Sequence, residues 1–447
     1  MAVAANATPT KRFFVEMITR DISLEDAILD LIDNSIDSFI RTRGVELSAA
    51  TLLETDLPVL TDKQGKPVLA AVTVELRSDG FRIEDKTGGI SRKKAQDEVF
   101  RFGAPGDRDH ASLGVYGIGL KRAIFKLGRH IRITSRTVDE GFEIHLDAKT
   151  WQENPDDWTI PMEFIDGVGS VEEAGTVIEI SELYPNVKAR ITDGTAERRL
   201  FKHIGETYPY FLGRMVTVAL NGVTVPATEI PLGRSEDVTP SVLYDRQNGV
   251  KVTLVSGLAD RAKGDWNTDR AGWYVLCNGR VVVSADKTEL TGWGAGGPQF
   301  VSKYRGFVGI AFFFANDPVE LPWTTTKRGI NRESPAFIKA RNQMQVAARP
   351  VLTFLNSLYP SDAVPEPTRR AIAEEVRQAD IKQVISNEST FTVRFRTQPV
   401  RMTTKIQYDA LNSDIDLIRK CLRKPRMSAK AIGEHTFKYF VEMECSE

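Results

Sequence analysis

Cysteine is scarce in this chain, with three in 447 residues. Cys277, Cys421 and Cys445 stand far apart and form no C-x-x-C pair. That argues against a zinc finger and a disulfide framework, and it fits a reducing compartment. Long apolar runs are also missing. No uninterrupted stretch reaches the roughly 18 residues of a membrane span. The opening MAVAANATPTKRFF lacks the apolar centre of a secretory signal. The expected setting is therefore cytoplasmic, with no membrane partner. Net charge is −1, so no global field draws the chain to nucleic acid or anionic lipid, and only local patches remain. The apolar fraction of 41% supports a sizeable core. The length fits about three domains.

The richest stretch is Ser23 to Ile40, SLEDAILDLIDNSIDSFI. Ser23 and Asp26 make an S-x-x-D capping box. Leu24, Ala27, Ile28, Leu31, Ser35 and Phe39 recur at helical spacing, predicting one amphipathic helix. Asp30 and Asn34 are one turn apart on one face, and Asp33 and Asp37 form a second row. A carboxylate and an amide so placed can hold a metal through water and act on a phosphate. A solvated acidic face is the alternative.

Ala71 to Leu76 and Phe81 to Glu84 alternate as the strands of a hairpin around Ser78-Asp79-Gly80. The second strand runs into Asp85-Lys86-Thr87-Gly88-Gly89-Ile90. A carboxylate at a strand end, followed by glycines, can accept a hydrogen bond from the exocyclic amine of a planar base. It can also be an ordinary turn. Further on, Gly114, Gly117 and Gly119 lead into a helical run from Leu120 to Leu127. Glycines entering a helix N-terminus expose backbone N–H groups to an anion, and Lys121 can add a point charge on phosphate. The spacing matches neither a P-loop nor a Rossmann fingerprint. Strands at Ile131–Ser135, Phe142–Leu146 and Gly175–Ile180, with a helix from Ala196 to Phe211, complete a pattern without repeated β-α alternation. That favours an α+β sandwich.

DLIDNSID, EDKTGGI, GVYGIGLKRA and GTVIEI, in this order over residues 13–185, resemble the GHKL ATPases: gyrase, the heat-shock chaperones of that fold, histidine kinases, MutL and MORC proteins. The wording DNSID and GIGLK is most similar to the MORC and MutL branches. The resemblance implies a Bergerat-type two-layer α/β sandwich ATPase domain that binds ATP and Mg²⁺. Asn34 would be the magnesium ligand, Asp85 the adenine partner with Thr176 in support, and Asp30 the general base. The cofactor-binding set it implies is Asn34, Asp37, Asp85, Gly89, Ile90, Gly114, Gly117, Ile118, Gly119, Leu120, Lys121 and Thr176, with a lid between Phe102 and Lys121. Three residues depart from the family pattern. Asp30 replaces glutamate and is one methylene shorter, Thr87 replaces the first glycine of D-x-G-x-G, and Ser38 replaces alanine.

Residues 250–330 hold further strand-like runs, including Trp273 to Val283 around Asn278-Gly279, which read as plain core sheet. Leu321 to Ile330 follows, LPWTTTKRGI. In gyrase- and MutL-type relatives a second-domain lysine reaches the γ-phosphate, and Lys327 matches by order, with Arg328 as the fallback. The expected organisation is a flexible tail over 1–12, an ATP-binding domain over 13–230, a transducer-like (ribosomal S5-like) α+β domain over 231–360, and a small, mainly helical C-terminal region over 361–447. Phe13 to Met17 would pack or form an arm. Ser361 to Pro367 reads as a linker, and Phe391–Phe395 and Val400–Ile406 read as short strands. The Arg419–Arg426 cations are either a nucleic-acid contact or a solvated helix end.

The resulting expectation is a Mg-dependent ATPase with slow hydrolysis. Nucleotide would close the lid and dimerise a molecular clamp or switch in DNA repair, DNA management or defence, with DNA or partner proteins engaged. A chaperone-like ATPase acting on protein clients and a nucleotide-binding scaffold with negligible turnover are the alternatives.

Overall fold

Alternation of apolar and polar side chains decides the main sheet. The structure is a computed structural model describing residues 9–44, 52, 60–61, 67–102, 111–114, 117–154, 157–261, 264–294, 296–359, 363–396 and 406–445. Helices of nine or more residues and the strands of the two large sheets are numbered below. The helices of the first part are α1 (Lys11–Arg20), α2 (Leu24–Arg43), α3 (Gly119–Leu127) and α4 (Thr195–Thr207). Its strands are β1 (Ala70–Leu76), β2 (Gly80–Asp85), β3 (Gly128–Arg136), β4 (Glu140–Asp147), β5 (Glu163–Asp166), β6 (Gly175–Leu183), β7 (Val216–Leu220) and β8 (Val223–Thr224). They form one eight-stranded sheet in the order β8-β7-β1-β2-β6-β3-β4-β5. Every pairing in it is antiparallel except β1 with β7.

The register lines up whole rows across the sheet. Leu220, Val74, Ile83, Ile178, Ile133 and Ile144 are successive partners, all buried. Leu76, Phe81, Ile180, Ile131 and Leu146 form a second buried row. α1 to α4 share one apolar core with these rows. Burying each such side chain is worth about 1.5–3 kcal/mol. The opposite face carries Glu75, Arg82, Glu179, Arg132 and His145 as successive partners. Charge alternates from Glu75 to Arg132, so cross-strand neighbours attract. The fold is therefore α+β, with helices on one face of a largely antiparallel sheet.

α2 begins where the capping box places it. The Ser23 hydroxyl accepts from the Asp26 N–H, and Gly44 ends the helix with a left-handed φ of 63°. The helix runs to Arg43, three residues past the expected Ile40. α1 begins at Lys11, inside the expected tail. Thr10 caps it, and the Lys11 ammonium is buried against the Trp151 carbonyl at 2.8 Å and over the Trp151 ring. Phe14 packs edge-on against Phe102 and Trp158. Residues 1–8, where the rest of that tail was expected, lie outside the described residues.

A second, five-stranded sheet follows: β9 (Ser241–Gln247), β10 (Val250–Leu258), β11 (Gly272–Cys277), β12 (Arg280–Asp286) and β13 (Phe307–Phe314), in the order β9-β10-β13-β11-β12. α5 (Pro335–Ser357) covers one face and shares a second apolar cluster with it. α6 (Glu366–Glu375) starts inside the stretch expected as a linker, of which residues 361 and 362 lie outside the described residues. Arg377–Gln378 and Thr392–Val393 pair back onto Gly233–Arg234 and Val238–Thr239. One compact unit thus runs to Arg396. The unit beyond it holds the helices α7 (Asn412–Cys421) and α8 (Ala429–Glu444). Of the strand expected at 400–406, only Ile406 is described, and it lies in no strand.

Candidate functional site

The inward face of the main sheet has a third row, and it is not apolar at its centre. Val72, Asp85, Thr176, Ser135 and Phe142 are successive partners. Three polar side chains thus stand in the layer that elsewhere packs on helices. Burying a polar group without a hydrogen bond is costly, so each must be satisfied. Asp85 Oδ1 accepts from the Thr87 hydroxyl at 2.5 Å and the Thr87 N–H at 3.1 Å, and Oδ2 accepts from Ser35 at 3.1 Å. Burial still pushes the Asp85 carboxyl above its ordinary pKa. The hydroxyls of Thr176 and Ser135 lie 2.8 Å apart, and the Ile90 N–H donates to Ser135 at 2.9 Å.

The turn after β2 explains two departures noted in the sequence. Gly88 and Gly89 take φ of 106° and 70°, and a Cβ on Gly89 would stand 2.1 Å from the Arg136 carbonyl oxygen. Only glycine fits that approach. Thr87 precedes them and spends its hydroxyl on Asp85. Its carbonyl accepts from the hydroxyls of Ser38 and Thr42, each at 3.0 Å. Thr87 and Ser38 therefore hold one another and clamp α2 to the turn.

α2 forms the wall above this floor. From Leu24 to Ile40 its residues are buried or half-buried, with Asn34 alone exposed. A helix packed nearly all round opens at that one amide. Next to it, Asp37 accepts from the N–H groups of Leu113 and Gly114, both at 2.7 Å. Burial outweighs those bonds and raises the Asp37 pKa to about 6.

α3 enters from the far side. Gly117 has a φ of 59°, and Ile118, at the N-cap, gives the first turn no side-chain cap. A Cβ on Gly119 would lie 3.3 Å from Asp30 Cβ and Cγ, so glycine lets α3 approach α2 closely here. Gly114, Ile118 and Gly119 are half-buried, and Gly117 is exposed. Leu120 and Lys121 turn inward. Leu120 joins the apolar core. The Lys121 ammonium donates to the carbonyls of Arg101, at 2.8 Å, and Gly117. Burial lowers its pKa to about 8. Two of its three donors thus tie the ends of the segment expected as a lid. Residues 103–110 and 115–116 of that segment lie outside the described residues.

Lys327 arrives from the second part of the chain. Its ammonium is buried, 2.6 Å from Asp33 Oδ2 and 3.2 Å from Asp30 Oδ1. Asp33 Oδ1 also accepts from Arg280 Nε at 3.0 Å and the Tyr208 hydroxyl at 2.6 Å. Asp30 Oδ2 is buried and accepts no hydrogen bond from the described residues. Arg122 Nη1 stands 3.6 Å away. Burial raises the Asp30 pKa above the carboxylate norm. Burial acts the same way on Asp33, but Arg280 and Lys327 outweigh it and hold that carboxyl low. Burial would lower the Lys327 pKa, yet Asp33 and Asp30 raise it, so the lysine stays charged. Arg328 points elsewhere, to Asp26 and to His203 Nδ1 at 2.8 Å.

Asp30, Asn34, Asp37, Gly114, Gly119 and Lys327 thus gather along α2, and Asp85, Gly89, Ile90 and Thr176 lie at the adjoining sheet end. Sequence reading missed Asp33 as the centre of the charge cluster, together with Arg280, Tyr208, Arg122, Ser35 and Ser135. Only Asp33 carried a signal, its row with Asp37.

Residues 22–173, about a third of the chain, match the family described as Histidine kinase-, DNA gyrase B-, and HSP90-like ATPase. The match runs from the entry of α2 to just before β6, so Thr176, Tyr208, Arg280 and Lys327 lie beyond it. No curated protein matches the chain.

Proposed function

We propose that this chain, whose residues 22–173 belong to the histidine kinase-, DNA gyrase B- and HSP90-like ATPase family, binds ATP with magnesium between α2, the sheet end and the N-terminus of α3. The observation that carries the reading is the polar row of Asp85, Thr176 and Ser135 in an otherwise apolar inward layer. An adenine amine would donate to Asp85, with the Thr176–Ser135 hydroxyls beside it. The phosphates would extend toward the uncapped first turn of α3, where free N–H groups and the helix dipole favour anions. Asn34 is the oxygen donor open to that space, which fits a cation that keeps most of its water. Bound there, magnesium would offset phosphate charge and help align the γ-phosphoryl group.

Asp30 would take the proton of the attacking water through Oδ2, the oxygen that accepts no hydrogen bond from the described residues. The close approach of α3 at Gly119 offsets the shorter reach of aspartate. The third N–H of Lys327 would meet the γ-phosphate and join the two parts of the chain around the nucleotide. The MutL- and MORC-like wording of the motifs supports slow hydrolysis in a clamp that dimerises with ATP and works on DNA.

Magnesium ATP should raise the melting temperature and slow proteolysis, with phosphate released in excess of enzyme. A melting temperature unmoved by saturating nucleotide rejects the site. Light scattering with a non-hydrolysable analogue tests the dimer. Turnover stimulated by duplex DNA, and lost steeply with salt, tests the DNA partner.

A further inference from the structure

The Asn278-Gly279-Arg280 turn joins β11 to β12, and its tip sits against the site. Asn278 and Arg280 are buried. The Asn278 side-chain amide donates to the Ser112 carbonyl at 3.0 Å, one residue before the N–H groups that bind Asp37. A Cβ on Gly279 would lie 3.1 Å from the Phe211 ring. Arg280 reaches both ends of Lys327. Nη1 donates to the Lys327 carbonyl at 2.7 Å, and Nε holds the Asp33 carboxylate that receives the Lys327 ammonium. Lys327 has a φ of 53°, a left-handed conformation that costs a non-glycine residue energy unless its surroundings impose it.

We propose that Arg280 is a positioning residue. With Asp33 and Tyr208 it holds the Lys327 backbone in its left-handed turn and aims the ammonium at the terminal phosphate of a nucleoside triphosphate. This rests on the nucleotide reading above. Lysine at position 280 keeps the charge but lacks the planar fork that reaches two acceptors at once. Tyr208, at the end of α4, donates its hydroxyl proton to Asp33 at 2.6 Å, with the Leu29 carbonyl as the alternative acceptor at 2.9 Å, and so fixes the carboxylate from the α4 side.

The test is equilibrium binding of ADP and of a non-hydrolysable ATP analogue, in magnesium, to wild type, Arg280→Lys, Lys327→Met and the double variant. Arg280→Lys should weaken the analogue about tenfold, the value of one charge-assisted hydrogen bond, and leave ADP unchanged. In the Lys327→Met background the same substitution should change neither ligand. A merely structural role would weaken both ligands alike. That outcome overturns the proposal, as does an unchanged analogue affinity or an equal loss in the Lys327→Met background. If Arg280→Lys does not fold, Tyr208→Phe removes only the hydroxyl and should show the same pattern at a smaller amplitude, about threefold. Tyr208→Phe binding both ligands like wild type also overturns the proposal. Wild-type protein that binds neither nucleotide overturns the nucleotide reading itself, and this inference with it.

Discussion

Replacing Asp33 by alanine removes the one acceptor shared by two buried cations and a buried hydroxyl. Asp33 is fully buried and holds Lys327, Arg280 and Tyr208 at 2.6, 3.0 and 2.6 Å. Each donor keeps a second partner: Asp30 for Lys327, the Lys327 carbonyl for Arg280, and the Leu29 carbonyl for Tyr208. Hydrogen-bond loss alone is therefore modest. The electrostatic loss is not, because Lys327, Arg280 and Arg122 then share the single carboxylate of Asp30. Removing one partner of a buried ion pair costs about 3–5 kcal/mol. The compact unit to Arg396 should unfold with an entropy of roughly 2.1 cal/mol/K per residue. The melting temperature of Asp33→Ala should thus fall by roughly 4–6 °C. Asp33→Asn keeps the volume and two acceptor contacts but removes the same charge and turns an amide N–H toward the ammonium, so it should lose a comparable amount. Calorimetry without nucleotide measures both. If both variants melt within about 1 °C of wild type, this cluster does not carry the buried charge assigned to it.

Asp30→Asn should bind ATP like wild type and lose turnover by about 10²–10⁴-fold, the usual worth of a positioned base, measured as phosphate release beside nucleotide titration. Asp85→Ala removes the acceptor at the sheet end and should weaken adenine nucleotides by about 10–100-fold while leaving the α2 cluster intact. The Asp37 pKa is raised to about 6, so its contribution to stability is full below its unfolded value near 4 and is lost as pH rises through 6. Ionising it costs at most about 3 kcal/mol. Asp37→Asn should therefore be less pH-sensitive than wild type between pH 4 and 6 in urea titrations, and parallel curves would refute this.

Local pattern made much of this protein legible. Ser23, the three-and-four spacing through α2 and the alternation of β1 to β4 each act within a few residues, so short-range rules reach them. The polar floor was half legible. Asp85 and Thr176 stood out by motif, whereas Ser135 looks like any strand serine until the register places it beside Thr176. Lysine was the least legible type. By sequence Lys11 reads as tail and Lys121 as a phosphate ligand, yet both ammonium groups are buried against backbone carbonyls. Only packing decides whether such a chain points inward.

The sequence alone determined the helix that carries Asp30 and Asn34, the glycine turns that admit a close-lying ligand, and the α+β class. Each follows from steric and hydrogen-bonding preferences acting over one or two turns or strands. Tertiary structure alone decided that Arg280 meets Asp33 across 247 positions, that Lys327 and not Arg328 reaches Asp30 and Asp33, and that Asn278 touches the glycine segment. Contacts of that range are set by how the second sheet docks on the first. The same arginine or asparagine in a hairpin turn leaves no periodic trace in the chain.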